Sequence, residues 1–208
     1  MDPRKIVTDA YDKIAETYDD WAPRVRIEER IRYTQVIVDA LPQGSTVLEL
    51  GCGAGGVTSQ QLASGFTLTG VDISARQIML ARQRIPHATF IQADMTTLTF
   101  PPSSFDGIVA FYSIIHVPRE EQPRLLDTIA TWLRPGGIFV ATLGARSVQA
   151  EYEPNWLGAP MYWSSYDTDT NRRMMAATGL RIVEANEEVA DENGELVTFL
   201  WVVARKES

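Results

Sequence analysis

Three carboxylates and one histidine occupy positions where they could do chemistry. The first is Glu49, in the apolar run Val47-Leu48-Glu49-Leu50 that leads into Gly51-Cys52-Gly53-Ala54-Gly55-Gly56. Gly51, Gly53 and Gly56 satisfy G-x-G-x-x-G, a turn that brings backbone close to a ligand at a helix N-terminus. A dinucleotide pyrophosphate is the usual occupant of such a turn. Glu49 argues against it, because a carboxylate just under the turn repels a pyrophosphate and attracts an ammonium or sulfonium. The second acid, Asp72, lies about twenty residues past the first glycine, where a carboxylate commonly bonds ribose hydroxyls. The third, Asp94, can accept from an exocyclic amine such as adenine N6, with Met95 beside the ring. A lone acid at a strand end is often only a helix cap; three in order after a glycine turn are hard to explain that way. Together they describe a ligand that is cationic near the turn and adenosine-like further out. S-adenosylmethionine meets both demands.

His116 is one of two histidines. Its functional readings are general base and hydrogen-bond donor to a substrate; the plain one is a loop histidine capping a helix at Pro118. His87 follows Pro86 in a turn and reads as solvated. Cys52 is the sole cysteine. With no histidine close in sequence to activate it, it reads as a small residue tolerated in a tight loop.

The elements that must position these groups alternate between strand-like and helix-like periodicity, which predicts an α/β sheet covered by helices. Helices are expected over 9–20, 27–40, 56–63, 75–84 (capped by Ser74), 118–132 and 168–178. Strands are expected over 46–50, 66–71, 89–93, 105–111 and 138–142, with a turn at Arg134-Pro135-Gly136-Gly137. Two more, over 180–189 and 196–204, flank Glu192-Asn193-Gly194-Glu195, where Asn-Gly signals an antiparallel hairpin. Ligands of such sheets bind at the carboxyl ends of the strands, and Glu49, Asp72 and Asp94 all fall there.

At this point the sequence resembles the class I S-adenosylmethionine-dependent methyltransferases of the small-molecule type. Val47 to Gly55 is similar to their first motif, Val71-Asp72-Ile73-Ser74 to the acidic second and Gln92-Ala93-Asp94-Met95 to the third. Phe105-Asp106-Gly107-Ile108-Val109 through His116 resembles the fourth, and Leu133 to Gly137 the turn before strand five. Tyr11-Asp12-x-Ile14-Ala15-x-x-Tyr18-Asp19 is similar to an N-terminal helix that closes over the cofactor. The resemblance implies a Rossmann-like seven-stranded sheet of order 3-2-1-4-5-7-6, with strand seven antiparallel and helices on both faces. It implies cofactor contacts from Gly51, Gly53, Asp72, Ile73, Asp94 and Met95. Phe111 would lie near the methionine part, and Tyr11 and Tyr18 are further candidates beside Glu49. The expected product is S-adenosylhomocysteine.

For the methyl acceptor, strand four is informative by omission. Its end, Phe111-Tyr112-Ser113-Ile114-Ile115-His116, lacks the Asn/Asp-Pro-Pro-aromatic signature of enzymes that methylate amide or nucleobase nitrogen. No acidic cluster suits a magnesium ion, so no metal is expected. The stretch from Tyr152 to Tyr166 is rich in aromatics and follows a strand's carboxyl end. It reads as a lid (about 145–166), with Tyr112, Trp156, Tyr162 and Trp163 walling a small, flat or carbon-rich acceptor; covering the sheet edge is its plain reading. Arg24, Arg26, Arg30 and Arg32 are interleaved with Glu28 and Glu29, and Arg146 follows strand five. A solvated, salt-bridged face is their default. An arginine turned inward would instead hold a substrate carboxylate.

The 208 residues suit a single domain, with a helical cap over about 1–40. A net charge of −8 argues against a nucleic-acid partner. One cysteine, a polar start and no long apolar run point to a cytoplasmic chain without a membrane anchor, monomeric or homodimeric. The expected activity is O-methylation of a carboxylate or hydroxyl on a small molecule. The rivals are a nicotinamide-dependent oxidoreductase on the same glycine loop and a non-catalytic cofactor-binding partner protein.

Overall fold

The computed structural model describes residues 2–192 and 194–207. A seven-stranded sheet runs β3-β2-β1-β4-β5-β9-β8 through its centre. Its strands are β1 (Thr46–Leu50), β2 (Thr67–Asp72), β3 (Thr89–Gln92), β4 (Phe105–Ala110), β5 (Leu133–Gly144), β8 (Leu180–Glu192) and β9 (Glu195–Lys206). Strands β1 to β5 pair in parallel, and β9 lies antiparallel between β5 and β8. This is the expected order once β6 (Val148–Trp156) and β7 (Ala159–Ser165), a separate antiparallel pair, are set aside. The insertion read as a lid is built as a hairpin.

Alternation along the strands divides the core. Leu48, Leu50, Ile108 and Phe139 face one side, packed by α5 (Gln122–Trp132) and α6 (Thr168–Ala177) through Leu125, Ile129, Trp132 and Met175. Val47, Val109, Val140 and Trp201 face the other, packed by α2 (Ile27–Ala40) and α3 (Val57–Ala63) through Tyr33, Ile37 and Leu62. Strands covered on both faces are near-continuously apolar, as β4 and β5 are. A smaller cluster joins α1 (Pro3–Trp21) to the β6–β7 hairpin through Ile6, Ala10, Ile14 and Met161.

Helix α1 begins at Pro3, six residues before the expected start. Asp2 caps it by accepting from the Arg4 N–H, and a proline at the first helical position loses no hydrogen bond. The turn expected at Arg134–Gly137 is an interruption of register: Phe105 pairs with Leu133, but Gly107 pairs with Ile138. Strands β8 and β9 outrun their expected ends, so Glu192 pairs with Glu195 beyond the last β5–β9 pair at Gly144 and Phe199. Of the hairpin signal, Asn193 lies outside the described residues, and Gly194 takes φ 92°.

Candidate active site

The carboxyl ends of β1, β2 and β4 and the loop after β3 open into one cleft of ≈ 70 Å³, roofed by Arg4, Val7, Tyr11 and Tyr18 of α1. Nine of the ten expected cofactor residues line it: Tyr11, Tyr18, Gly51, Gly53, Asp72, Ile73, Asp94, Met95 and Phe111. Gly51 has φ +78°, and a Cβ there would meet Ser113 Cβ at 2.3 Å. The Ser113 hydroxyl donates to the Leu50 carbonyl, which locks the β4 end against the glycine turn. Asp72 accepts from the Gly53 and Ser74 N–H groups, each at 2.9 Å. Burial pushes its pKa up to about 6 against the pull of those bonds. Asp94 accepts from Thr96 and, at 2.7 Å, from Arg4, whose guanidinium also reaches Glu121. Asp12 accepts from Ser74 and the Arg76 N–H at the start of α4 (Ala75–Arg84), and Asp19 pairs with Arg84. Helix α1 is thus tied down on both sides of the cleft.

Glu49 does not line the cleft, and this corrects the sequence reading. Strand alternation turns it toward α3, where the Ser59 hydroxyl donates to it at 2.6 Å. Burial pushes its pKa up to about 8, opposed by the Ser59 bond and by Arg30. It is no open anion beneath the turn. Cys52 is buried, and its thiol is pushed well up by burial, in keeping with a small residue held in a tight loop. His87 is exposed, as expected.

Beside the cleft lies a larger chamber of ≈ 430 Å³. The two share Tyr11, Tyr18, Tyr112 and His116. Trp156 and Trp163 wall the chamber as expected. Tyr11, Tyr18, Trp21 and Trp156 form a run of rings with centroids 5.2–6.0 Å apart. Tyr162 does not line the chamber, a second correction. Its ring packs on Tyr152 in the hairpin, and only its backbone serves the site. A further part of the wall, which sequence reasoning missed, comes from the far end of β8–β9: Glu192, Glu195, Val197, Thr198 and Phe199.

His116 sits at the junction of the two spaces. Its Nδ1 lies 2.9 Å from the Tyr162 carbonyl, which can only accept, so Nδ1 carries the proton. Nε2 therefore accepts from the Tyr11 hydroxyl at 2.9 Å. Burial among Tyr11 and Trp163 pushes the pKa of the imidazole down to about 4, and the Tyr162 bond opposes this. Burial holds the Tyr11 phenol well above its ordinary value. The helix-cap reading of His116 is not what the geometry shows.

Arg24, Arg32 and Arg146 are exposed, as a solvated face requires, but Arg26 and Arg30 leave it. Arg26 has a left-handed φ of 57° and a side chain 1% exposed. It donates to Glu192 at 2.7 Å and to the Val197 carbonyl at 2.6 Å, and its guanidinium lies over Phe199. Arg32 binds Glu188. Arg30 turns inward to the chamber, 4.3 Å over the Tyr112 ring, with its Nε buried and without a hydrogen-bond partner. Tyr112 itself has φ 55°, a strained value for a bulky residue, held by its N–H on Thr142. Neither Glu28 nor Glu29 pairs with these arginines among the described residues. The interleaving that suggested such pairs lost, for Arg26 and Arg32, to long-range partners on β8.

A Rossmann-like sheet with a glycine turn, two strand-end carboxylates and an adjoining aromatic chamber is the architecture of the S-adenosylmethionine-dependent methyltransferases. The family described as "Methyltransferase domain" matches residues 47–137. Over that stretch the chain is similar to this family, and it shares the fold of solved S-adenosylmethionine-dependent methyltransferases. It is 37% identical to the 2-methyl-6-phytyl-1,4-hydroquinone methyltransferase of Synechocystis, over 80% of this chain and 52% of that protein. It is 37% identical to the fatty-acid O-methyltransferase of Mycolicibacterium smegmatis, over 53% of this chain and 41% of that protein. The chain spans between 46% and 66% of the length of the first three curated relatives it matches. Among solved structures it is similar to the magnesium protoporphyrin IX methyltransferase of Synechocystis with bound S-adenosylmethionine. That likeness has TM-score 0.71 and 16% identity and covers 100% of this chain and 98% of that one. Among the described residues no helix is long and apolar enough to cross a membrane.

Proposed function

We propose that the protein transfers a methyl group from S-adenosylmethionine to an oxygen of a small, flat organic acceptor, working as one domain with a helical cap (about 1–40) and an aromatic lid (about 145–166). The cofactor supplies an electrophilic methyl on a sulfonium. In this reading Asp72 holds ribose hydroxyls, and Asp94 and Met95 hold the adenine. Gly51 and Gly53 admit the backbone approach, and Phe111, Tyr112 and Tyr18 flank the reacting end. The chemistry of the cleft suits that group: an apolar floor of Val71, Ile73, Ala93 and Met95 between two carboxylates.

The observation that carries the oxygen reading is His116. Its tautomer is fixed by the Tyr162 carbonyl, so an unprotonated Nε2 faces the junction of cleft and chamber. There it removes the proton of an acceptor hydroxyl, directly or through Tyr11, as the methyl arrives. The chamber supplies alignment and excludes water, which carry most of the acceleration of an in-line displacement. A second reading rests on Arg30. Its free Nε favours a carboxylate in the chamber, and a carboxylate acceptor needs no base. The relative named for fatty acids and the one named for a hydroquinone bracket these two chemistries.

His116→Ala separates them. Screening hydroxyl and carboxyl acceptors by mass gain of one methyl, the variant should lose about 100-fold or more in kcat on hydroxyl acceptors and keep carboxyl turnover. In the wild type the acid limb of hydroxyl turnover should fall near pH 4, where the buried imidazole takes its proton. Full hydroxyl activity after the substitution would remove His116 as the base.

A further inference from the structure

Three arginines line the chamber, and two of them have acid partners: Arg26 binds Glu192, and Arg146 binds Glu151. The third, Arg30, forms no ion pair among the described residues, and its Nε is buried without a hydrogen-bond partner. The other chamber acids, Glu153 and Glu195, are exposed to solvent. Glu49 feels the charge of Arg30, but burial raises its pKa to about 8. At neutral pH it is largely protonated and supplies little countercharge.

A partly buried cation without an anion is costly, and an apolar side chain would avoid the cost. What holds Arg30 is the face of Tyr112, with the guanidinium 4.3 Å from the ring centroid. That contact uses none of the N–H donors. The Tyr112 hydroxyl is also buried without a partner, so this pair of side chains carries two unspent donors. Arg30 lines the chamber and not the cleft, whereas His116 lines both. The anion that Arg30 lacks is thus expected on the acceptor's side, away from the junction where the methyl is transferred.

Resting on the reading of His116 as the base toward a hydroxyl, we propose that the acceptor is a flat hydroxy acid, with Arg30 as the specificity residue that binds its carboxylate. The carboxylate and the reacting hydroxyl then belong to one molecule, and its apolar body lies between Trp156 and Trp163 of the chamber wall. The planar guanidinium matches a carboxylate with two parallel hydrogen bonds. The hydroxyl oxygen gains the methyl as the carbon–sulfur bond gives its electron pair to sulfur, and the hydroxyl proton passes to His116. The carboxylate takes no part in the reaction: it sets the position of the hydroxyl and leaves unmethylated.

The probes are 4-hydroxybenzoate and 4-hydroxycinnamate, each beside its neutral amide, on protein saturated with S-adenosylhomocysteine. By calorimetry the wild type should bind each acid about 30-fold more tightly than its amide. In Arg30→Met that preference should fall to about 1. Arg30→Lys keeps the charge without the fork, so it should keep a preference of about 5-fold, and it serves as the second variant should methionine disturb α2. With S-adenosylmethionine, the wild type should turn the acids into methyl ethers, which survive mild alkali. Equal binding of acid and amide by the wild type overturns the proposal, as does a preference that persists in Arg30→Met. Alkali-labile methyl esters overturn it too, since the carboxylate would then be the acceptor. A loss of S-adenosylhomocysteine affinity in Arg30→Met of 10-fold or more would assign the guanidinium to the cofactor and overturn it as well. An intact acid preference with no hydroxyl methylated would instead overturn the oxygen reading, so the two failures are distinguishable.

Discussion

The cleft and the chamber meet at four shared side chains but are assembled in opposite ways. Apart from α1, the cleft is lined by residues between Gly51 and Pro118, the ends of consecutive parallel strands. The chamber draws on α1 and α2, the end of β4, the β6–β7 hairpin and the tip of β8–β9. The cleft is fixed by backbone: positive-φ glycines, strand ends and N–H groups on Asp72. The chamber is fixed by side chains reaching across long stretches of chain, above all Arg26 onto Glu192 and Val197. A site built from strand ends keeps its shape as long as the sheet stands. One built from reaching side chains can change its acceptor by changing a few residues.

Gly51→Ala should break the cleft side most severely. A Cβ there has φ +78° and meets Ser113 Cβ at 2.3 Å. The left-handed conformation and the overlap together should cost about 2–5 kcal/mol. The melting temperature should fall by roughly 10 °C, with S-adenosylhomocysteine binding lost in parallel. A variant that melts and binds like wild type would show that the turn has slack the geometry does not suggest.

Arg26→Met aims at the chamber alone. The variant removes a cation with a 1% exposed side chain and leaves Glu192, itself 20% exposed, and the Val197 carbonyl without this partner. Partial exposure of Glu192 lets water replace part of the loss, so about 2 kcal/mol is expected, below the usual figure for a fully buried pair. Hydrogen exchange should speed up over residues 188–198, and S-adenosylhomocysteine affinity should stay within about twofold. An equal loss of cofactor affinity would mean that cleft and chamber are one cooperative unit and erase the contrast.

The same contrast explains what could be read from the chain beforehand. The glycine turn, Asp72 and Asp94 were legible because each sits in a local pattern: an apolar run, then a turn, then a polar residue at a strand end; the strand order came from the family resemblance alone. Tyr162 was misassigned because a hairpin sends alternate side chains to opposite faces, and composition alone does not fix that register. Glu49 was misassigned for a related reason. Its place next to the turn was correct, but alternation along β1 points it to Ser59. The arginines were unreadable because their partners, Glu188 and Glu192, lie some 160 residues away. The early start of α1 was readable, since Asp2-Pro3 is a cap followed by a first-turn proline, but the apolar periodicity drew the boundary inward.

Glu49→Gln gives the smallest effect and the finest separation of the two regions, because it changes a charge while keeping shape. Glu49 rises from 4.5 to about 8 on folding, chiefly by burial. The unfolded chain releases this proton early and the folded chain holds it, so stability falls as pH rises between those values. His116 works in the other direction: its folded value is depressed from 6.5 to about 4, so its contribution is lost as pH falls through that interval. Asp72 rises from 3.8 to about 6 and resembles Glu49, but its change is nearly complete by pH 6.5. Between pH 6.5 and 8, then, the slope belongs chiefly to Glu49, faced by Ser59, Arg30 and Asp72. Across that window the wild type should lose on the order of 1 kcal/mol of stability that Glu49→Gln does not lose, read by urea unfolding at each pH. Parallel curves would mean that Glu49 is already ionised in the folded chain. The carboxylate would then stand charged beside Arg30, and the cleft rather than the core would be its proper address.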